Sequence, residues 1–479
     1  MHQIELFMKY PQDVQDEWLR KLVRSGRDTE FGKKYAFASV DSYQDFKELV
    51  PLQDYESLKP SIEKIRRGGQ DILWPGEIKW FAKSSGTTDK SKFLPVTKDS
   101  LDGCHYRGGR DMLTLHCVNN PETQLFTGKN LGLAGSSQAN VFGNHESYHG
   151  DVSAIMMQNL PVWAEYFRAP DIEIALLDKW EVKLEKMARA TMNENVTSLA
   201  GVPSWMLVLL RQVLEHKKVN SIREVWPNLE LYFHGGVSFT PYADQFKKIF
   251  DNEHISYMQI YNASEGFFGI QDRVKASDML LMLDYGVYYE FIPMEDIHHE
   301  QPRTYNISEV NTNTVYEMVI STNAGLWRYR LGDTIKFTST DPYRFIITGR
   351  TKHFINVFGE ELMIHNAEEA LKIACKKTHA LINEYTAAPI FMGEKNGAHE
   401  WVIEFEKMPN NLDYFADVLD KTLKQVNSDY EAKRYNNYVL QFPVVKIVEK
   451  GTFHKWLSSK NKLGGQFKVP RLSNERKYV

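Results

Sequence analysis

Apolar residues recur at helical spacing from Pro11 to Arg24, where Val14, Trp18, Leu19, Leu22 and Val23 share one face. Pro is tolerated in the first turn and Gly26 stands just past the end, so the pattern predicts an amphipathic helix packed on a core. A second helix is predicted from Ser42 to Leu49, before Pro51. Short apolar runs at Trp80-Phe81-Ala82 and Phe93-Leu94-Pro95-Val96 then predict two strands joined by a polar loop. From Leu101 to Gly150, glycine and polar residues alternate with short apolar pieces, and Gly132-Leu133-Ala134-Gly135-Ser136-Ser137 reads as a strand running into a turn. Helices are predicted at Ala154 to Phe167, at Asp178 to Asn195, and from Val202-Pro203-Ser204-Trp205 to near His216. Strands are predicted at Leu229 to Phe233, ahead of Tyr261, and at Tyr316 to Ile320. Strands followed by helices at this spacing predict an α/β sheet with covered faces.

The pattern restarts after Asp341-Pro342: helix from Ala367 to Lys377, strand from Trp401 to Phe405, helix from Leu412 to Asn427, strand from Val444 to Val448. This tail is the size of an independent unit. The expected fold class is therefore α/β, with a large N-terminal domain of mixed sheets and helices over residues 1–345 and a small α/β domain over 346–479.

Three polar signatures interrupt this frame. Lys83-Ser84-Ser85-Gly86-Thr87-Thr88-Asp89-Lys90-Ser91-Lys92 gathers hydroxyls around one glycine and closes on lysines. Backbone N–H groups, hydroxyls and ammonium groups can converge there on one anion, although the spacing is not that of a P-loop. A solvated Ser/Thr turn accounts for the stretch equally well when it is taken alone. At Met258 to Gly266, a strand ends in Tyr261, Asn262, Ala263, Ser264 and Glu265. An aromatic face can cover a nucleobase, and a carboxylate beside phosphates is useful chiefly through Mg2+. At Leu326 to Thr334, Asp333 closes a predicted turn, where it can accept hydrogen bonds from a vicinal diol or simply form an Asx-turn. Gly235-Gly236, at the end of the Leu229 to Phe233 strand, sits where α/β sheets bind ligands.

Composition narrows the class. The 479 residues are 42% hydrophobic and 25% charged, as in ordinary folded enzymes. A formal net charge of -4 provides no basic field for nucleic acid. Three cysteines with no CxxC pair imply neither a disulfide framework nor a zinc site and fit reducing cytosol. The beginning of the chain lacks a signal-peptide progression and no apolar run is long enough to cross a bilayer, so a cytoplasmic protein without nucleic-acid or membrane partners is expected.

In order and approximate spacing, Ser84 to Thr88, Tyr261 to Glu265 and Tyr329 to Asp333 resemble the three ATP/AMP motifs of the auxin-responsive (Gretchen Hagen) acyl acid amido synthetase family, within the adenylate-forming superfamily. Thr29-Glu30-Phe31-Gly32, Val202 to Trp205, Asn427 to Arg434 and Gln466 to Arg471 extend the resemblance over essentially the whole chain. It implies a two-step ligase: a carboxylic acid attacks the α-phosphate of Mg-ATP, and an amine, usually an amino acid, then takes the acyl group and expels AMP. Carried over position by position, Ser84, Ser85, Thr87, Thr88 and Lys92 would bind phosphates, with Gly86 allowing close approach and Gly235 and Gly236 lying at the nucleotide. Tyr261 and Ser264 would flank adenine and α-phosphate, Tyr329 would also belong to the cofactor site, Glu265 would hold Mg2+, Asp333 would bind ribose, and Arg350 would touch ribose or phosphate. The small domain would rotate between the two steps and bring in a catalytic lysine, for which Lys468 is the candidate.

Two departures bear on this reading. Asp89-Lys90-Ser91-Lys92 replaces a glycine-bearing loop tail, and Glu361 stands where many superfamily members and the plant relatives carry lysine. The second shifts weight to Lys468, Lys462 or Lys92, and a bacterial-type member of the family is expected. For the acyl site, Trp163, Tyr166, Phe167, Trp205 and Met206 are candidate linings and Arg107, Arg110 and Arg168 candidate carboxylate contacts, while aromatics at helical spacing equally suit a core. A small carboxylic acid and an amine are the expected partners of a monomer. An acyl-CoA or other thioester-forming ligase and a non-catalytic nucleotide-binding regulator are the alternatives.

Overall fold

The computed structural model describes residues 1–84, 92–142, 145–236, 239, 242–251, 255–297, 299–351, 355, 360, 362–391, 397–434, 440–459, 469–474 and 476. They form two compact units. The larger comprises Met1–Gly236, Asn252–Leu331 and Ile335–Ile346, and the smaller Val237–Asp251, Gly332–Thr334 and Ile347–Val479. Both mix helices and strands, which bears out the expected α/β class.

In chain order the first strands are β1 (Trp80–Ser84), β2 (Lys92–Val96), β3 (Lys129–Gly132), β4 (Ser137–Phe142), β5 (His145–Gly150), β6 (Arg168–Ala169), β7 (Val196–Gly201), β8 (Leu231–His234) and β9 (Ser256–Ala263). They are followed by β10 (Gly266–Ile270), β11 (Met279–Leu281), β12 (Val287–Pro293), β13 (Val315–Thr322), β14 (Tyr329–Thr340) and β15 (Tyr343–Arg350). Among the described residues the main sheet has eleven strands in the order β12-β13-β14-β15-β11-β10-β9-β8-β7-β3-β6. From β6 to β9 the neighbours are parallel, and at β9–β10 the sheet turns antiparallel. Parallel neighbours require crossovers, which the helices Trp180–Thr191 and Pro203–Lys217 provide between β6 and β8. A four-stranded sheet, β2-β1-β5-β4, carries the hairpin predicted from the two short apolar runs, in the register Trp80↔Val96 to Ser84↔Lys92.

The N-terminal stretch explains itself physically. Thr29 caps the helix Glu30–Lys34 by accepting from the Gly32 N–H at 3.0 Å while donating to the Gly26 carbonyl at 2.6 Å. A Cβ on Gly32 would lie 2.1 Å from that carbonyl, so the Thr29 to Gly32 sequence is a close-packed cap. The first long helix runs Pro11–Gly26, two residues beyond the predicted end, so that Gly26 is its last residue.

Three expectations are corrected. Residues 101–119, read as broken polar pieces, form a π-helical turn, Leu101–His105, that runs into the helix Tyr106–Asn119. The helix expected from Ala154 to Phe167 is two helices, Val152–Gln158 and Val162–Glu165, because Pro161 lacks an N–H and disfavours helical geometry at Leu160. Asp333 does not close a turn: it lies within the twelve-residue strand β14.

In the smaller unit, β16 (Leu381–Phe391), β17 (Gly397–Lys407) and β18 (Val444–Val448) form a three-stranded sheet. Tyr385, Trp401 and Ile403 of this sheet share a core with Ala370 and Leu371 of the helix Ile364–Thr378 and Phe415 and Leu419 of the helix Leu412–Val426. Buried Asp420 accepts from Tyr430 Oη at 2.9 Å and from Arg434 Nε at 2.7 Å, while Arg434 Nη1 donates to the Leu440 carbonyl at 2.8 Å. The Asn427 to Arg434 stretch is thus a structural tie. Arg471 likewise pairs with Glu384 and donates to Tyr242 Oη at 2.9 Å. Among the described residues, no helix is long and apolar enough to cross a membrane.

Candidate active site

In the larger unit the parallel strands β7, β8 and β9 end at Gly201, His234 and Ala263, and ligands of α/β sheets lie beyond such carboxyl ends. Gly235 and Gly236 continue β8 at this edge. A Cβ on Gly235 would sit 2.5 Å from the Ile260 carbonyl of β9, so only glycine lets the chain leave the sheet this closely. Gly236, with φ +79°, turns away. Ser264 and Glu265 form the two-residue turn between β9 and β10, both half-buried. The sheet therefore brings Gly235, Gly236, Ser264 and Glu265 to one edge. Tyr261, three residues before Ser264 on β9, is 7% exposed, with its ring 5.1 Å from that of Phe268 and 6.2 Å from that of Phe345.

The hairpin β1–β2 is described up to Ser84 and from Lys92. The Ser84 side chain and all of Ser85, Gly86, Thr87, Thr88 and Lys90 lie outside the described residues, as do Glu361, Lys462 and Lys468. Around the foot of the hairpin, Lys92 Nζ sits 5.6 Å over the Tyr55 ring, and Tyr55 Oη accepts from the Phe93 N–H at 2.9 Å. The Arg66 guanidinium lies 3.9 Å from the Phe93 ring centroid and pairs with Glu63 at 2.7 Å. His149, on β5, has a lowered pKa, first because it is buried and then because Lys83 and Arg66 are near. The hairpin base is thus cationic, a setting suited to anions.

Other nominated residues have structural partners. Tyr329 is fully buried, and its strand is tied by Gln53 N–H to the Arg328 carbonyl at 2.9 Å and Arg330 N–H to the Gln53 carbonyl at 2.8 Å. Arg107 pairs with Asp284 and Arg168 with Glu165, while Arg110 is exposed. Trp205 and Met206 are core, Tyr166 is 76% exposed, and the Trp163 side chain lies outside the described residues. In the smaller unit, Arg350 Nε donates to Asp333 Oδ1 at 2.5 Å, so two residues nominated separately form one ion pair. Beside them Thr348 and Thr334 hydroxyls lie 2.9 Å apart.

Two features had no signal in the sequence reading. His105 Nδ1 lies 3.0 Å from Asn262 Oδ1, a pairing across distant segments that periodicity does not reveal. Buried Lys183 donates to the Ala134 and Gly135 carbonyls at 2.6 and 2.8 Å, holding the turn after β3, and burial lowers its pKa to about 8.

Among the described residues, no group of three or more His, Cys, Asp or Glu side chains could hold a metal by itself. A turn carboxylate such as Glu265 still fits Mg2+, which keeps several waters and is bound by one or two carboxylates together with substrate phosphates.

Consecutive family models match the chain: the GH3 family N-terminal domain over residues 1–255, the central domain over 280–350 and the C-terminal domain over 365–477. A jasmonoyl-L-amino acid synthetase of Nicotiana attenuata is 24% identical over 96% of this chain and 90% of its own. An indole-3-acetic acid-amido synthetase of Arabidopsis thaliana is 21% identical over 96% of this chain and 89% of its own. Among solved structures, GH3.15 acyl acid amido synthetase in complex with 2,4-DB aligns with a TM-score of 0.81 at 16% identity, covering 99% of this chain and 94% of that one. A 2-hydroxyisobutyryl-CoA ligase in its postadenylation state aligns with a TM-score of 0.61 at 14% identity, covering 97% and 89%. With its N-terminal model alone spanning more than half of the residues, the chain belongs to the GH3 family.

Proposed function

We propose that this chain is an ATP-dependent acyl acid amido synthetase. The observation that carries the reading is the Ser264–Glu265 turn at the carboxyl edge of the parallel strands, in a chain whose residues 1–255, 280–350 and 365–477 match successive GH3 domains. In the first step a substrate carboxylate oxygen bonds to the α-phosphorus of ATP and the bond to the β-phosphate oxygen breaks, releasing pyrophosphate. In the second an amine bonds to the acyl carbon, loses a proton, and the acyl C–O bond breaks to release AMP. A carboxylate becomes electrophilic only when its oxygen is part of a good leaving group, which is why the nucleotide is needed.

The residues take the following roles in this reading. Ser84, Ser85, Thr87, Thr88 and Lys92 bind phosphates, Gly86 and Gly236 admit them closely, and Ser264 contacts the α-phosphate. Tyr261 shapes the adenine side. Asp333 binds the ribose hydroxyls with its carboxylate oriented by Arg350, and Lys468 is the catalytic lysine. Mg2+ held by Glu265 supplies charge neutralisation of the polyphosphate. Residues 1–345 and 346–479 act as the two domains, a division supported by the central-domain match ending at 350 and the C-terminal match beginning at 365. A cytoplasmic monomer agrees with the cysteine usage and charge. We also read the chain as a bacterial-type member, while the relatives named above are plant proteins.

The test is a panel of carboxylic acids assayed for acid-dependent pyrophosphate release, with and without amino acids, and mass spectrometry of the products. Amide products support the reading. Thioesters formed with added CoA in their place, or no acid-dependent release across a broad panel, overturn it.

A further inference from the structure

The turn that carries Glu265 is held at both feet by a single short segment. On the β9 side, His105 Nδ1 meets Asn262 Oδ1 at 3.0 Å, and Asn262 Nδ2 reaches the Met156 sulfur at 3.8 Å. In the amide orientation that puts Asn262 Oδ1 on the imidazole, the oxygen accepts and His105 carries its proton on Nδ1. On the β10 side, the Phe267 N–H donates to the Cys104 sulfur at 3.1 Å. One turn further along, a Cβ on Gly108 would stand 2.5 Å from the Phe267 ring, so the helix leaving the segment presses directly on that residue. Cys104 and His105 are the last two residues of the π-helical turn Leu101–His105, which is closed by the Tyr106 N–H on the Leu101 carbonyl.

We infer that the π-helical turn Leu101–His105 is a positioning element for the Ser264–Glu265 turn, in which His105 acts through Asn262 and Cys104 through Phe267. It deepens the proposed function, since the group being positioned is the carboxylate assigned to Mg2+. Such a turn has only two residues between its strands, so fixing both flanks fixes the backbone from which the Glu265 side chain leaves. Cys104 and His105 are themselves buried, at 1% and 2% exposure, so neither is a ligand for the nucleotide. Burial pushes the Cys104 thiol pKa up to about 12 and the His105 imidazole down to about 4, which keeps both groups neutral at working pH.

The experiment compares His105→Leu, His105→Asn and Asn262→Ala with the unmodified chain. Two readouts are used: ATP affinity with Mg2+ and with EDTA, by calorimetry, and kcat and KM for pyrophosphate release. The amide nitrogen of Asn can occupy the place of imidazole Nδ1 and donate the same hydrogen bond, whereas Leu fills space without donating. His105→Leu and Asn262→Ala are expected to lose about 10- to 100-fold of the Mg2+-dependent gain in ATP affinity, the usual cost of removing a support behind a metal ligand, with EDTA affinity unchanged. His105→Asn is expected to stay within about twofold. If His105→Leu does not fold by circular dichroism, Asn262→Ala decides the matter, because it removes the same hydrogen bond from the other side. Retention of the full Mg2+ gain in His105→Leu or Asn262→Ala overturns the inference, as does a loss in His105→Asn equal to that in His105→Leu. Absence of any Mg2+ gain in the unmodified chain refutes the Glu265 assignment and the inference together. An unmodified chain with the Mg2+ gain and no amide product refutes only the amido synthetase reading.

Discussion

Replacing Glu290 by Gln removes one charge from the larger unit's core without changing side-chain shape. Glu290 and Arg328 are 1% and 4% exposed, and Arg328 meets the carboxylate through Nε at 2.9 Å and Nη2 at 2.8 Å. The guanidinium also donates to the Lys47 and Val50 carbonyls and the Thr304 hydroxyl, and Tyr43 Oη donates to Glu290 at 3.2 Å. At an effective dielectric of about 20 the Coulomb attraction at this separation is ~6 kcal/mol, opposed by the desolvation of both ions. Removing the carboxylate charge leaves a buried guanidinium uncompensated, which costs about 3–5 kcal/mol. With an unfolding entropy of ~2.1 cal/mol/K per residue over a unit of about 330 residues, the expected fall in Tm is about 4–7 °C. Differential scanning calorimetry checks this, and a companion Glu290→Met, Arg328→Met double variant separates causes. Apolar replacement of both partners is expected to lie closer to the unmodified protein than Glu290→Gln alone. A Tm drop under about 1 °C for Glu290→Gln, or a double variant less stable than the single, would refute the buried-charge reasoning.

Glu265→Ala and Asp333→Ala are each expected to lower acid-dependent pyrophosphate release by at least ~100-fold while circular dichroism stays unchanged; two active variants would sink the site assignment. Gly32→Ala should destabilise by about 1–3 kcal/mol in urea unfolding, because its Cβ meets the Gly26 carbonyl at 2.1 Å, with kcat of the folded fraction unchanged. Burial lowers the pKa of His105 to about 4 and of His234 to about 3, so below pH 6.5 the unfolded chain binds protons that the folded chain refuses. Stability should therefore fall as pH drops from 6.5 towards 4, by about 3 kcal/mol for His105 at the lower end, and His105→Asn should flatten urea midpoints measured across that window.

The helix Pro11–Gly26 and the hairpin β1–β2 were legible because each signal is local: a 3.6-residue apolar stripe, or two apolar runs about a polar loop. The helix Ile364–Thr378 and the strand β17 were legible for the same reason, although each extends beyond its predicted core. The helix Tyr106–Asn119 was not legible. Gly108 and Gly109 weaken its intrinsic preference, yet Gly108 is what allows the helix to meet Phe267. A residue that argues against the element locally is required by its packing.

The site divides along the same line. The order of residues alone singled out Tyr261 to Glu265, Gly235-Gly236 and Asp333, because turn chemistry and strand ends leave marks in composition. Only the tertiary structure placed Asp333 inside β14 with Arg350 on its carboxylate, buried Tyr329, and set His105 and Cys104 behind the Glu265 turn. Such contacts join residues up to 163 positions apart, as in Cys104 and Phe267. Periodicity reports which face of an element is buried, and the sheet order decides what it is buried against.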